Sequence, residues 1–261
     1  MMSELLSIIS ASDKRRNLLI LLNSGPREWD DIKRILNVTS TGMLPQIKIL
    51  EDEKLIERDG RMFSLTPMGK VLAAHMEPLI RTMEIFDRNR KFWSEHNIDV
   101  LPFDILVDIR CLGNYFIIEN SDEEIFDVSS FLKNISTAKT LKGLAHTVHP
   151  TWPAFFMNLA KKGVECSLVF TPGVLKIMHE KYPGWVGEYL GLGNTSIYVT
   201  KKDFKFSYTV TDSYFSISLF YNTGFFDSKN DVASNDPSAI QWGERIYDYL
   251  LEHAEKVENP D

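Results

Sequence analysis

Cysteine is scarce in this 261-residue sequence, with Cys111 and Cys166 the two present. Two thiols make no disulfide framework, and they read as reduced packing cysteines of a cytoplasmic protein. Long apolar runs are absent: no stretch reaches the roughly 20 apolar residues of a membrane-spanning helix, so no membrane partner is expected. The N-terminus, MMSELLSIISASDKRR, lacks the basic start and the small-residue cleavage site of a signal peptide. Glycine-patterned catalytic signatures are missing too. There is no Gly-x-Ser-x-Gly elbow, no phosphate-binding loop and no dinucleotide fingerprint. Gly191-Leu192-Gly193 lacks the further glycine and precedes a strand pattern rather than a helix. Metal-ligand spacing is likewise absent. His146-x2-His149 with Cys166 is the nearest cluster, but residues three apart on a strand point to opposite faces. Neither metal nor cofactor is expected, and the chain is not read as an enzyme.

Positive charge is also short: 29 Lys and Arg stand against 36 Asp and Glu, a net charge of −7. The deficit is uneven. Residues 1–97 hold 15 basic against 14 acidic side chains, net +1, while residues 98–261 hold 14 against 22, net −8. The shift marks a two-domain division. An apolar fraction of 44% is ordinary for a globular chain and argues against disorder.

What is present is concentrated between Asn37 and Pro67: NVTSTGMLPQIKILEDEKLIERDGRMFSLTP. Val38, Met43, Ile47 and Leu50 recur at helical spacing behind the cap cluster Thr39-Ser40-Thr41, so a helix is predicted from near Ser40. Pro45 removes a backbone donor early in that segment, which leaves a later start open. Leu55 and Ile56 begin a short strand, Asp59-Gly60 reads as a two-residue turn, and Met62, Phe63 and Leu65 return as a second strand. Two helices are predicted upstream, over Met2–Asn23 and Arg27–Leu36, with Asn37-Val38-Thr39 as the turn between the second and the third. Helix, turn, helix and two-stranded ribbon is the pattern of a winged helix-turn-helix, which lays one helix in a DNA major groove.

The wording SASDKRRNLLILLNSGP, LNVTSTGMLPQIKILEDEKLIERDG and FSLTPMGKVLAAHMEPLI resembles the winged-helix domain of ArsR-type transcriptional regulators. More narrowly it resembles archaeal, mostly methanogen, winged-helix regulators that carry a methanogenesis-regulatory-type C-terminal domain. VHPTWPAFFMNLAKKGVE, YTVTDSYFSISLF and DPSAIQWGERIYDYL resemble the same family, so the likeness spans nearly the whole chain. It implies transcriptional regulation and a double-stranded DNA partner.

Residues 67–97 read as one long linker helix. Leu72, Met76, Leu79, Met83, Phe86, Arg90 and Trp93 alternate at spacings of four and three, a heptad-like seam. Pro78 predicts a kink near His75. The apolar members of the seam, Leu72, Met76, Leu79, Met83, Phe86 and Trp93, are assigned to a homodimer, since a nearly neutral DNA-binding half needs a second copy. Ile98–Phe103 reads as a linker.

Residues 98–261 alternate strand and helix patterns. Strands are expected over 115–119, 139–148, 164–170, 196–200, 206–211 and 214–221, and helices over 104–114, 150–162, 174–181, 185–189 and 239–257. That is an α/β domain with a mixed sheet. It resembles one lobe of the phospholipase D-like fold, whose enzymes need a His-x-Lys-x4-Asp motif. Here His179-Glu180-Lys181 is followed at the carboxylate position by Val186, so an inherited phosphodiesterase is not expected.

The expected organisation is therefore residues 1–66 as a DNA-binding domain, 67–97 as a dimerisation helix and 98–261 as a regulatory domain. DNA contacts are assigned to Thr39, Ser40, Thr41, Leu44, Pro45, Gln46 and Lys48 on the helix and to Arg58 and Arg61 on the wing. Lys14, Arg15 and Arg16 could add backbone contacts. A small-molecule effector is assigned to strand ends bearing His149, Trp152, Thr171, Lys205, Tyr208 and Asp212, with Trp242 on the last helix. The alternative is an enzyme that acts on a small molecule through the α/β domain, with the winged helix as a targeting or protein-interaction module.

Overall fold

The computed structural model describes residues 4–119 and 129–258. Its internal contacts divide the chain into two compact units, Met1–Met83 and Glu84–Asp261. The boundary between the units falls inside a helix.

The first unit begins with α1 (Glu4–Ser10) and α2 (Asp13–Asn23). The single helix expected over Met2–Asn23 is broken at Ala11-Ser12. Ser12 is extended, at φ −150°, and precedes Asp13, an acid in the first turn of α2. The break is stapled by guanidinium donors. Arg15 Nε donates to the Ile8 carbonyl (2.6 Å) and Arg16 Nη1 to the Ser10 carbonyl (2.9 Å), filling acceptors that the end of α1 leaves open.

Next come β1 (Arg27–Glu28), α3 (Trp29–Leu36), α4 (Ser40–Asp52), β2 (Ile56–Asp59), β3 (Met62–Leu65) and α5 (Pro67–Arg88). Arg27 and Glu28 are not helical as expected: they pair with Phe63 and Met62 and make a third strand beside the hairpin. Within the hairpin Asp59 pairs with Met62. The turn residues are therefore Gly60 and Arg61 rather than Asp59 and Gly60. Gly60 carries the positive φ of +58° that this position demands. Leu18, Leu19, Ile32, Met43, Leu50 and Leu55 are fully buried and close one core between the helices and the small sheet. Burial of each is worth about 1.5–3 kcal/mol.

The single helix expected over residues 67–97 is divided: α5 runs through Pro78 to Arg88, and the interruption falls at Asn89 (φ −140°), before α6 (Arg90–Glu95). The supposed linker Ile98–Phe103 belongs to the second unit's core, where Leu101 is buried and Ile98 and Val100 pack against it.

The second unit continues with α7 (Phe103–Leu106), a 3-10 turn (Ile109–Leu112), β4 (Phe116–Glu119), α8 (Ser129–Ile135), β5 (Thr140–Ala145), α9 (Trp152–Lys161), β6 (Glu165–Phe170), α10 (Pro172–Lys181), α11 (Trp185–Leu190), β7 (Thr195–Thr200), β8 (Phe206–Thr211), β9 (Phe215–Leu219), β10 (Asn230–Ser234), α12 (Pro237–Leu251) and β11 (Ala254–Lys256). One mixed sheet of eight strands has the order β11-β7-β6-β5-β8-β9-β10-β4. Strands β5, β6 and β7 are parallel and joined through α9 and through α10–α11; the other pairs are antiparallel. The expected closing helix over 239–257 ends at Leu251, and Ala254–Lys256 pairs with Thr200–Tyr198 of β7.

Strand alternation sorts the core into two. Phe206, Tyr208, Val210, Phe215, Ile217 and Leu219 face the layer that contains Trp242 and Ile246 of α12. On the opposite face, Leu141, Cys166, Leu168, Phe170 and Ile197 pack with residues of α9, α10 and α11. That second face changes character along the sheet. It is apolar at β5, β6 and β7, but at β8, β9 and β10 the residues alternating with the first face are Ser207, Thr209, Thr211, Ser216, Ser218 and Asp231.

Candidate nucleic-acid interface and ligand cavity

In the first unit, α4 starts at Ser40, and Pro45 lies within it rather than delaying it. Thr39 caps the helix, its hydroxyl accepting from the Gly42 N–H (3.3 Å). Pro45 has no N–H to give to the Thr41 carbonyl, one turn back. Thr41, Leu44, Pro45 and Lys48 are all exposed, and their spacing puts them on one face; Leu44 is 48% exposed. Met43, Ile47 and Leu50 take the opposite face into the core. Ser40 is half-buried.

Gln46 sits differently from its neighbours. It is half-buried, and its side-chain oxygen accepts from Arg15 Nη1 (2.7 Å). Arg15 is itself buried. Gln46 is thus tied to α2, and α4 gains a polar brace. Lys14 Nζ donates to the Gly42 carbonyl (3.3 Å), a second tie across the start of α4. Arg16 pairs with Asp13 on its own helix.

On the hairpin, Arg58 Nε donates to the Gly60 carbonyl (2.9 Å), and its guanidinium lies 5.2 Å from the Phe63 ring centre. Arg61, in the turn itself, is exposed. Lys48 makes no ion pair among the described residues, whereas Lys33 and Arg34 on α3 pair with Asp30 and Asp31.

Along α5 an apolar stripe is left open to solvent: Met68, Val71, Leu79 and Met83 are 41%, 60%, 60% and 53% exposed. Leu72 and Met76 are half-buried against the first unit's core. The last two seam residues are committed elsewhere. Trp93 is buried in the second unit, its indole N–H donating to the Ile85 carbonyl (3.0 Å) and the Tyr115 hydroxyl (2.9 Å). Phe86 packs edge-on against it at 5.9 Å.

The strand-end residues assigned to an effector do not converge. Thr171 caps α10, accepting from the Val174 N–H (3.2 Å). Asp212 accepts from the Lys139 N–H (2.8 Å); burial pushes its carboxyl up, but the backbone donors of Lys139 and Thr140 bring it below the ordinary value. Trp242 is buried on the other face of the sheet, its indole N–H donating to the Ile105 carbonyl (2.9 Å). Lys205 pairs with Asp203 at 2.7 Å. His149 Nδ1 lies 2.8 Å from the Thr151 hydroxyl.

Trp152 lines a cavity of about 80 Å³ on the second face of the sheet; Tyr208 borders it from β8, with its ring on the α12 face. Its floor is polar: Gly143, Ser207, Thr209, Ser216, Ser218 and Asp231 line it. Ile118, Phe131, Trp152 and Phe156 supply apolar walls. Gly143 is glycine for a reason of space, since a Cβ there would come within 2.6 Å of the Tyr208 carbonyl. Asp231 accepts a hydrogen bond from the Ser218 hydroxyl. Burial pushes its carboxyl up to about 6 against the pull of that bond, and the Asp227 charge adds to the rise. The Trp152 indole N–H is buried without a partner among the described residues. Sequence reasoning missed Asp231, Ser216 and Ser218. The signal lay in the alternation of YFSISLF, where the serines fall on the face opposite the aromatics.

Set beside known proteins, this chain is similar to a family of regulators. Residues 3–84 match the family described as "Methanogenesis regulatory protein FilR1, N-terminal domain", and residues 127–253 match "Methanogenesis regulatory protein FilR1, middle domain". A curated relative, the methanogenesis regulatory protein FilR1 of Methanothrix harundinacea (strain 6Ac), is 21% identical over 261 residues, covering 97% of this chain. The chain spans 58% of that relative's length. Among solved structures, the archaeal chromatin protein TrmBL2 aligns over 98% of this chain and all of its own, at 11% identity and TM-score 0.45. The phospholipase D family member Nuc from Salmonella typhimurium covers 56% of this chain, with 99% of its own aligned, at 10% identity and TM-score 0.44. At these scores neither likeness carries an argument. No helix among the described residues is long and apolar enough to cross a membrane.

Proposed function

We propose that the protein is a DNA-binding transcriptional regulator that works as a homodimer, with a second unit that senses a small-molecule effector. The observation that carries the first part is the exposed face of α4. Thr41, Leu44, Pro45 and Lys48 are exposed on a capped helix whose other side is locked into a core, with a hairpin bearing Arg58 and Arg61 beyond it. In this reading α2, α3 and α4 with the hairpin act as a winged helix-turn-helix, which the FilR1 N-terminal match over this segment supports. In this reading Lys48 and Arg61 meet phosphates. Thr41, through its hydroxyl, and Leu44 and Pro45 meet base edges and thymine methyls. Thr39 and Ser40 sit at the helix N-terminus, where the dipole favours a phosphate. Gln46 orients the helix through Arg15 rather than reading a base directly.

The dimer rests on Leu72, Met76, Leu79 and Met83. Leu79 and Met83 are exposed side chains on one helix stripe, and the first unit's charge is too small for firm binding of a single copy. The second unit lacks the full His-x-Lys-x4-Asp set of phospholipase D-like enzymes, which supports a regulatory role for its sheet.

The test is binding of promoter DNA from the native genome. Lys48→Ala and Arg61→Ala are expected to weaken binding to all sequences, and Thr41→Ala to relax discrimination at one base step by about 1–3 kcal/mol. If all three variants bind like the wild type, α4 does not read DNA.

A further inference from the structure

We propose that the cavity over β8, β9 and β10 binds a small organic ammonium ion, its charge held by Asp231 and its apolar body caged by Phe131, Trp152 and Phe156. The proposal deepens the effector-sensing part of the function above and rests on that reading for its regulatory meaning, though not for the binding itself.

The first ground is the composition of the face. Where α9, α10 and α11 cover the sheet, the strands present Leu141, Cys166, Leu168 and Ile197. A face buried only for stability would continue in that manner. From β8 onward it turns instead to Ser207, Thr209, Ser216, Ser218 and Asp231, and there the cavity opens. Ser207 already accepts from the His146 N–H (3.1 Å) and Ser218 donates to Asp231, so what this polar face leaves to be met is the charge of the carboxylate.

The second ground is charge. Asp231 accepts from Ser218, a neutral donor, and no Lys, Arg or His lines the cavity among the described residues. A carboxylate in a low-dielectric site without a cationic neighbour attracts a cation and repels an anion. The raised pKa of this carboxyl reports the same absence of compensation. Sugars and neutral alcohols could use the hydroxyls but would leave the charge unmet.

The third ground is the walls. Trp152, Phe156 and Phe131 present aromatic surface, which attracts a soft organic cation and fits its alkyl groups. A metal ion would need several oxygen ligands and would gain nothing from three rings. The size of the space, about 80 Å³, limits the occupant to a few heavy atoms beyond the nitrogen.

The test uses the full chain and three compounds that share a tert-butyl body: tert-butylammonium, tert-butanol and pivalate. Calorimetric titration at pH 7.5 is expected to show tert-butylammonium binding at a single site, at least about tenfold tighter than tert-butanol, with pivalate not binding. Asp231→Asn keeps the acceptor for Ser218 and removes the charge, and is expected to lose at least about tenfold in affinity for the ammonium alone. Trp152→Leu is expected to weaken it by a similar factor. Thermal melting of each variant checks that it is folded. Equal affinity for the three compounds, no binding of the ammonium, or unchanged binding by Asp231→Asn would each overturn the site. A parallel measurement separates the two readings. If tert-butylammonium binds and promoter affinity does not move, the sensing role fails while the site stands. If DNA affinity responds to another metabolite in a protein that ignores the ammonium, sensing stands and this site fails.

Discussion

Asp231 shows how one side chain in the sheet trades stability for a charge. In the folded protein its carboxyl lies at about 6, against an ordinary value of 3.8. A carboxyl raised on folding stabilises the protein only below its unfolded value, and that contribution is lost as pH rises through about 6. The difference corresponds to about 3 kcal/mol of destabilisation at neutral pH. Asp231→Asn is therefore expected to raise the melting temperature by several degrees at pH 7.5. The advantage should shrink below pH 6 and vanish near pH 4 in a series of thermal melts; a constant gain across that range would show that the charge is not the cause. Asp227 has the opposite sign. It accepts from the backbone N–H of Lys229 (2.8 Å) and the side chain of Asn230 (2.8 Å), and its Oδ2 lies 2.9 Å from His96 Nε2. Burial pushes its carboxyl up, but these partners bring it below the ordinary value. Its contribution is present above the unfolded pKa and lost in acid. Both His96 and Asp227 are 2% exposed. His96→Ala, which removes one of several donors from a buried carboxylate, is expected to cost about 1–3 kcal/mol in denaturant unfolding. None of this was legible in the sequence. His96 and Asp227 are 131 residues apart, and only the fold makes them a pair.

Elements were far more legible than pairs. The helix at Ser40, the hairpin and the parallel strands followed from apolar periodicity, caps and glycine, signals that act within a few residues. The misreadings came where a distant partner decides. Arg27 and Glu28 carry no strand pattern, and are a strand because Phe63 and Met62 offer open backbone groups. Asn230–Ser234, where no strand was expected, pairs on both sides, with Phe215–Ile217 and with Phe116–Glu119. Trp93 fits a heptad by spacing, but its indole N–H is drawn into a core by Tyr115 and Ile85. Gly143 belongs to this scale as well. Its missing Cβ lets β5 and β8 approach, since an alanine methyl would sit 2.6 Å from the Tyr208 carbonyl. Gly143→Ala is expected to destabilise the second unit by about 1–3 kcal/mol, read as a lower denaturant midpoint. The stripe on α5 gives a further test. Leu79→Glu with Met83→Glu, both at exposed positions, is expected to leave folding intact and yield monomers in sedimentation. A dimer that survives both substitutions would place the interface elsewhere.

The charge of the whole molecule sets the problem that a dimer would solve. At net −7, with all of the excess acid in residues 98–261, the chain has little long-range attraction for a polyanion. Affinity must then come from a small number of well-placed cations. In a single copy of the proposed interface these are Lys48, Arg58 and Arg61, with Arg58 partly tied to the Gly60 carbonyl. Counterion release makes each phosphate contact visible, because the slope of log affinity against log salt changes by about 0.9 per contact removed. That slope also counts copies. A monomer losing Lys48 would lose one contact, and a symmetric dimer would lose two. Lys48→Ala in the full chain is therefore expected to reduce the slope by about 2 on a two-fold symmetric operator, and by about 1 on a half-site bound by the Leu79→Glu, Met83→Glu background. The measurement is a fluorescence-anisotropy titration at several salt concentrations. An equal change on both sites would mean that a single α4 contacts the DNA at a time, and a zero change would remove Lys48 from the interface.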